Sequence, residues 1–197
     1  MDNRQYFTET LRATGRAGVD NVISSLDELG FFEAPASSVH HLNEPGGLLR
    51  HSINVYREAM AIRGKQIEMR PEMETFLPED SVAIAALLHD VCKAEIYKPA
   101  IKNRKNAEGT WEKYCGYDTD RSEFPLGHGE KSVIRLLQWG LLMTDDEIIA
   151  IRWHMGAWDL PFQSSEAKDC SNAAKLKAPL LTLIGAADGL ASFILER

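Results

Sequence analysis

The chain is poor in the residues that would staple or anchor it. It has three cysteines, Cys92, Cys115 and Cys170. An odd number at wide separation builds neither a disulfide framework nor a Cys-x-x-Cys zinc site, so reduced, structural thiols are expected, with Cys92 a small packed side chain. No apolar run reaches the roughly 20 residues that span a bilayer, and Met1 to Glu9 lacks the basic-then-apolar pattern of a secretory signal. A cytoplasmic protein without a membrane partner is expected. Positive charge is also scarce: 22 Lys and Arg against 29 Asp and Glu give a formal net charge of -7. Long duplex nucleic acid is held mainly by cations that neutralise phosphates, so this balance argues against it and leaves nucleotides or short oligonucleotides as compatible ligands. There is no internal repeat or low-complexity tract, and nothing constrains the oligomeric state.

What is present suits one folded domain: 197 residues, 44% hydrophobic and 26% charged, are enough for a sizeable core. Apolar residues recur mostly at helical spacing. Arg4 to Leu29 reads as one or two amphipathic helices stopped at Gly30, Pro35 to Gly47 as a turn-rich loop, and a helix opens near Gly46 with His51 in its early turns. Pro78, Glu79 and Asp80 start a helix that is apolar on nearly every face. From Ile96 to Tyr117 the pattern changes to a small β-hairpin or lid, with a turn at Asn106 to Gly109 and basic residues Lys98, Lys102, Arg104 and Lys105. Gly127 opens a helix that ends at Gly140, and Thr144 with Glu147 forms a capping-box pattern before the next one. A polar loop is expected from Pro161 to Asp169. An Ala- and Leu-rich helix then runs from about Ala173 to Glu196, with Pro179 expected to kink or split it.

The apolar helix after Pro78 ends in Leu88, His89, Asp90, Val91, Cys92 and Lys93. An imidazole beside a carboxylate in such company is costly unless compensated, and a divalent cation suits both. Three more histidines, His51, His128 and His154, and a second aspartate, Asp188, each fall on a separate helix with apolar neighbours. Helical bundles bring ligands to one interior point in this way. Six groups exceed one tetrahedral site and suit a pair of ions sharing a carboxylate.

The order His, His-Asp, His, His, Asp resembles the HD-domain superfamily of metal-dependent phosphohydrolases. It is carried by Gly46-Gly-Leu-Leu-Arg-His51, Leu87-Leu-His89-Asp90-Val-Cys-Lys93, Pro125-Leu-Gly-His128-Gly-Glu-Lys131, Arg152-Trp-His154-Met-Gly and Ala186-Ala-Asp188-Gly-Leu-Ala191, and it runs from about Gly46 to Ser192. Two histidines between the His-Asp pair and the final Asp look like the two-metal branch, although Gly185 stands where many relatives carry a bulkier or polar residue. The resemblance implies an all-α helical bundle over 46–197, with 1–45 as an N-terminal helical extension and the hairpin as an insertion. By that resemblance His51, His89, Asp90 and Asp188 hold one metal, and His128 and His154 the other, with Asp90 bridging and a bridging water or hydroxide as nucleophile. The metals would be divalent: Mn, Fe, Ni, Co, Zn or Mg.

The implied activity is hydrolysis of a phosphate ester of a nucleotide, a short oligonucleotide or another phosphorylated small molecule. Lys93, one helical turn from His89 and Asp90, is expected to assist catalysis by reaching a phosphoryl oxygen or holding Asp90. Arg50, Lys131, Lys98 and Arg104 are candidates for binding the substrate's phosphate, and Asp159 for orienting His154. His40 and His41 lie outside the pattern and read as a solvated or loop-stabilising pair. Two other functions fit the same residues: a non-catalytic, metal-stabilised regulatory or binding module, and a 3′ to 5′ exoribonuclease, which Gly46 to His51 also resembles.

Overall fold

Local chemistry sets most helix boundaries. In a computed structural model, which describes residues 1–156 and 164–196, α1 (Asn3–Ala13) starts at Asp2, whose carboxylate accepts the Gln5 N–H at 2.7 Å. The N-terminal stretch resolves into two helices, α1 and α2 (Val19–Glu28). After the turn-rich loop come α3 (Gly47–Met69), a single turn α4 (Met73–Phe76) and α5 (Glu79–Leu88). Every residue of α5 from Ser81 to Leu88 is buried. A helix without a polar face has to be enclosed on all sides, and α1, α3, α8 (Asp145–Trp153) and α10 (Pro179–Leu190) pack around it.

The short α6 (Lys93–Ile96) leads into an antiparallel hairpin of β1 (Tyr97–Lys105) and β2 (Trp111–Thr119), in register from Tyr97 opposite Thr119 to Lys105 opposite Trp111. Asn106 closes its turn, its side-chain oxygen accepting the N–H groups of Glu108 at 3.1 Å and Thr110 at 2.8 Å. The hairpin joins the helices chiefly through α6, and the protein is otherwise helical among the described residues. α7 (His128–Gln138) lies against α8, whose start carries the expected capping box between Thr144 and Glu147. The Glu147 carboxylate also takes Arg16 at 2.7 Å, and Arg16 reaches Asp80 at 2.7 Å. One guanidinium thus ties the N-terminal helices to the first turns of α5 and α8.

The end of the chain differs from expectation. The helix begins earlier, as α9 (Ser165–Lys177), because the Ser164 hydroxyl caps it by accepting the Ala167 N–H at 3.2 Å. Part of the expected polar loop is therefore helical. Pro179 does split the segment: it sits at the first position of α10, and the chain bends by 101° between Ser165–Lys177 and Pro179–Leu195. α10 then runs into a π turn, Ala191–Leu195, where the Glu196 N–H donates to the Ala191 carbonyl at 3.1 Å. Among the described residues no single helix is long and apolar enough to cross a membrane.

Candidate metal centre

The six side chains singled out by sequence converge at one interior point. His51 lies in the second turn of α3 and is fully buried. His89 and His154 occupy the same local position, each capping the C-terminus of its helix, α5 or α8. His89 Nδ1 lies 2.9 Å from the Ala86 carbonyl and His154 Nδ1 2.7 Å from that of Ile151. A carbonyl only accepts, so in both rings Nδ1 carries the proton and Nε2 is left as a lone-pair donor aimed inward. His128 is the first residue of α7, and Asp188 lies in α10, where it accepts the Ser192 hydroxyl at 3.2 Å. Two close approaches admit only glycine or nearly so. A Cβ on Gly129 would stand 2.4 Å from the Arg152 carbonyl oxygen, so its absence lets α7 lie against the end of α8 beside His154. At Gly185 a Cβ would stand 3.1 Å from the His154 carbonyl oxygen, which accounts for a small residue there.

Asp90 is the centre of the arrangement. Its Oδ2 lies 3.1 Å from His89 Nε2 and 3.5 Å from His51 Nε2, while Oδ1 lies 3.6 Å from both His128 Nε2 and His154 Nε2. Asp188 Oδ1 is 3.3 Å from His51 Nε2. With metal–ligand bonds of about 2.1 Å, adjacent ligands of one ion stand about 3.0 Å apart at octahedral angles and about 3.4 Å at tetrahedral ones. The observed spacings, 3.1 to 3.6 Å, run from near the octahedral value to slightly beyond the tetrahedral one. The Nε2 atoms of all four histidines and Asp90 Oδ1 are buried without a hydrogen-bond partner. Buried polar atoms are normally satisfied, so five orphans facing one point call for a common partner. Among the described residues the donor atoms of these six form three overlapping groups that could hold an ion, namely His51, His89 and Asp90; Asp90, His128 and His154; and His89, His154 and Asp188; a fourth group joins His51 to His41 and Glu196.

The buried charges of the cluster compensate one another. Burial works against ionising Asp90, but Lys93, His89 and the imidazoles of His154 and His51 outweigh it and hold the carboxyl well below the usual range. Burial likewise opposes charge on Asp188, and His51 and His89 win there too. His51 is raised to about 10, because Asp188, Asp90 and Glu196 together overcome the burial cost, and His154 is raised against the same cost by Asp90 and Asp188. His128, with less compensation, is pushed down by burial to about 4.

The candidate substrate residues separate. Lys93 Nζ stands 2.6 Å from Asp90 Oδ2, its charge strengthened, despite burial, by Asp90. It lines a cavity of about 440 Å³ over the cluster together with His41, His154 and Asp188. Lys131 turns elsewhere: it is buried and bonded to Glu95 at 2.7 Å, beside Arg135 on the same carboxylate. Arg50 pairs with Glu44 at the surface. On the hairpin, Lys98 is exposed opposite Asp118, and Arg104 is paired with Glu112 at 2.6 Å and stacked on Tyr114. None of these four is among the described residues lining the cavity. Asp159 lies outside the described residues.

Two residues join the site without any sequence signal. The buried Glu196 carboxylate lies 3.1 and 3.2 Å from His51 Nδ1 and accepts the Asn54 amide at 3.0 Å. A ligating imidazole needs such an acceptor on its other nitrogen, and here it fixes the His51 tautomer as the carbonyls do for His89 and His154. In an unbroken α-helix Glu196 would sit about 80° around the axis from Asp188. The π turn accommodates an extra residue in that turn and brings both carboxylates to opposite nitrogens of His51. His41, expected to be one of a solvated or loop-stabilising pair, lies in the loop but sets its ring against that of His51 at 5.1 Å between centroids and a tilt of 39°, and its Nε2 is buried without a hydrogen bond. Its neighbour His40 stays in the loop role, its N–H donating to the Ser37 hydroxyl at 2.8 Å. Comparison of the chain with protein-family models, curated proteins and solved structures finds no match, so the buried His and Asp cluster, able to hold metal ions, rests on its geometry alone.

Proposed function

We propose that the protein is a divalent-metal-dependent phosphohydrolase of the HD type, hydrolysing a phosphate ester. The observation that carries this reading is Asp90, a buried carboxylate whose two oxygens each face two orphaned imidazole nitrogens at the spacing of neighbouring ligands. His51, His89, Asp90 and Asp188 would hold one ion, and Asp90, His128 and His154 a second. Two bound cations would supply activation of water at neutral pH and neutralisation of phosphate charge.

The chain's own residues do the rest. The carbonyls of Ala86 and Ile151 and the Glu196 carboxylate hold protons on the outer nitrogens of three histidines, so the inner nitrogen is the one each ring would give up to a metal. Lys93 anchors Asp90 through one N–H and has two more donors for phosphoryl oxygens in the cavity. Asp188 and His128 are partly exposed, at 17% and 23% of their side chains. The cluster is thus reachable from solvent, which a purely structural site does not require.

The test is elemental analysis of the gently purified protein joined to an assay on bis-p-nitrophenyl phosphate. About two first-row metal ions per chain are expected, with p-nitrophenol release that is lost in His51→Ala and Asp90→Ala. Absence of metal, or activity surviving both substitutions, refutes the reading.

A further inference from the structure

The cavity above the cluster does not end at the metal ligands. It opens past His41, Ser192 and Phe193, which it shares with an adjoining groove of about 540 Å³ lined also by Val39, His40 and Glu196. Together the two have the size of a small-molecule site. Their linings differ in character. The cavity floor offers Lys93 beside Asp188 and His154. The groove, among the described residues, has neither lysine nor arginine, and Glu196, its one carboxylate, is turned onto His51. Its walls include two apolar side chains held in solvent, Val39 at 60% and Phe193 at 68% exposure. Phe193 lies in the π turn that also delivers Glu196, so its position is coupled to the build of the metal site. An exposed aromatic ring beside a charged cavity marks a ligand surface rather than a core.

Resting on the phosphohydrolase reading, we infer that this groove is a subsite for the organic part of the substrate, an uncharged planar ring such as a nucleobase stacked on Phe193 and flanked by Val39. The substrate's anionic charge then lies at the floor, next to Lys93. A second phosphate in the groove would meet neither lysine nor arginine among the described residues, so the inferred substrate is a single phosphate esterified to a nucleoside-like group.

The experiment is isothermal titration calorimetry on the Mn-loaded protein with two ligands that cannot be hydrolysed. They are the methylene phosphonate analogues of adenosine monophosphate and of ribose 5-phosphate, in which carbon replaces the ester oxygen. Stacking a base on an aromatic side chain is worth about fivefold to about 150-fold in affinity, so the adenosine analogue should bind about tenfold or more tightly. Phe193→Ala should bring the two ligands within about threefold of each other, and Phe193→Trp should preserve the preference. Equal binding in the unaltered protein, or a preference untouched by Phe193→Ala, overturns the subsite while phosphonate binding leaves the phosphate reading standing. Failure of the metal-loaded protein to bind either ligand overturns the phosphate reading as well.

Discussion

Removing the Glu196 carboxylate should weaken metal binding although Glu196 faces away from the cluster. The carboxylate accepts from His51 Nδ1 at 3.1 Å and is itself 1% exposed, so no water readily replaces it. A hydrogen bond to a charged acceptor contributes about 1.5–3 kcal/mol net, or roughly 10- to 150-fold in an equilibrium constant. That is close to the 10- to 100-fold loss of metal affinity expected when an acceptor behind a ligating imidazole is removed. Glu196→Gln keeps an oxygen but not the charge, and should lose about tenfold; Glu196→Ala should approach a hundredfold. A second effect has the opposite sign. Glu196 helps raise His51 to about 10, and protons compete with metal, so its removal also eases metal entry. That relief shrinks as pH rises, so the net loss should deepen between about pH 7 and about pH 9. Competition against a fluorescent chelator at both pH values measures it, with thermal melting as a check on folding. Unchanged metal affinity of a folded Glu196→Ala at the higher pH would refute the positioning role.

Three further outcomes follow from the same geometry. In the metal-stripped protein His51 is raised from its ordinary value to about 10, so its contribution to stability is full below about pH 6.5 and is lost as pH climbs through 10; the melting temperature of stripped protein should fall over that window. Metal needs the deprotonated ring, so binding should release protons and tighten with pH, read as buffer-dependent binding enthalpy. Gly129→Ala places a Cβ 2.4 Å from the Arg152 carbonyl oxygen. Forcing α7 from α8 should cost about 1–3 kcal/mol and deplete the metal held by His128 and His154, whereas an unchanged melting temperature and metal content would show that the two helices give way freely.

Much of the fold is local chemistry. The Thr144 and Glu147 box, the start of α5 after Pro78, the hairpin turn at Asn106 and the break at Pro179 are decided within a few residues, so they are legible in the sequence. The start of α9 is equally local, at the Ser164 cap, but polar side chains over 165–169 resemble a loop as much as a solvated helix face. The candidate substrate residues show where local reading ends. Lys93 and Lys131 are both lysines within a turn of a candidate histidine ligand, yet one meets Asp90 and the other Glu95. Which carboxylate lies within reach depends on how α7 packs against α6, and no periodicity states that.

The sequence alone determined that four histidines and two aspartates would face an apolar interior. A costly polar group at each of several buried helix positions is intelligible only if they share a partner. It could not determine that Asp90 presents one oxygen to His51 and His89 and the other to His128 and His154. Those distances join residues far apart in the chain and are set by packing. Nor could it place Glu196 and His41 on His51, because a single π turn and the course of the loop before α3 decide both. Side-chain type and period specify which groups point inward; only the close packing of α3, α5, α7, α8 and α10 brings them within a metal's reach of one another.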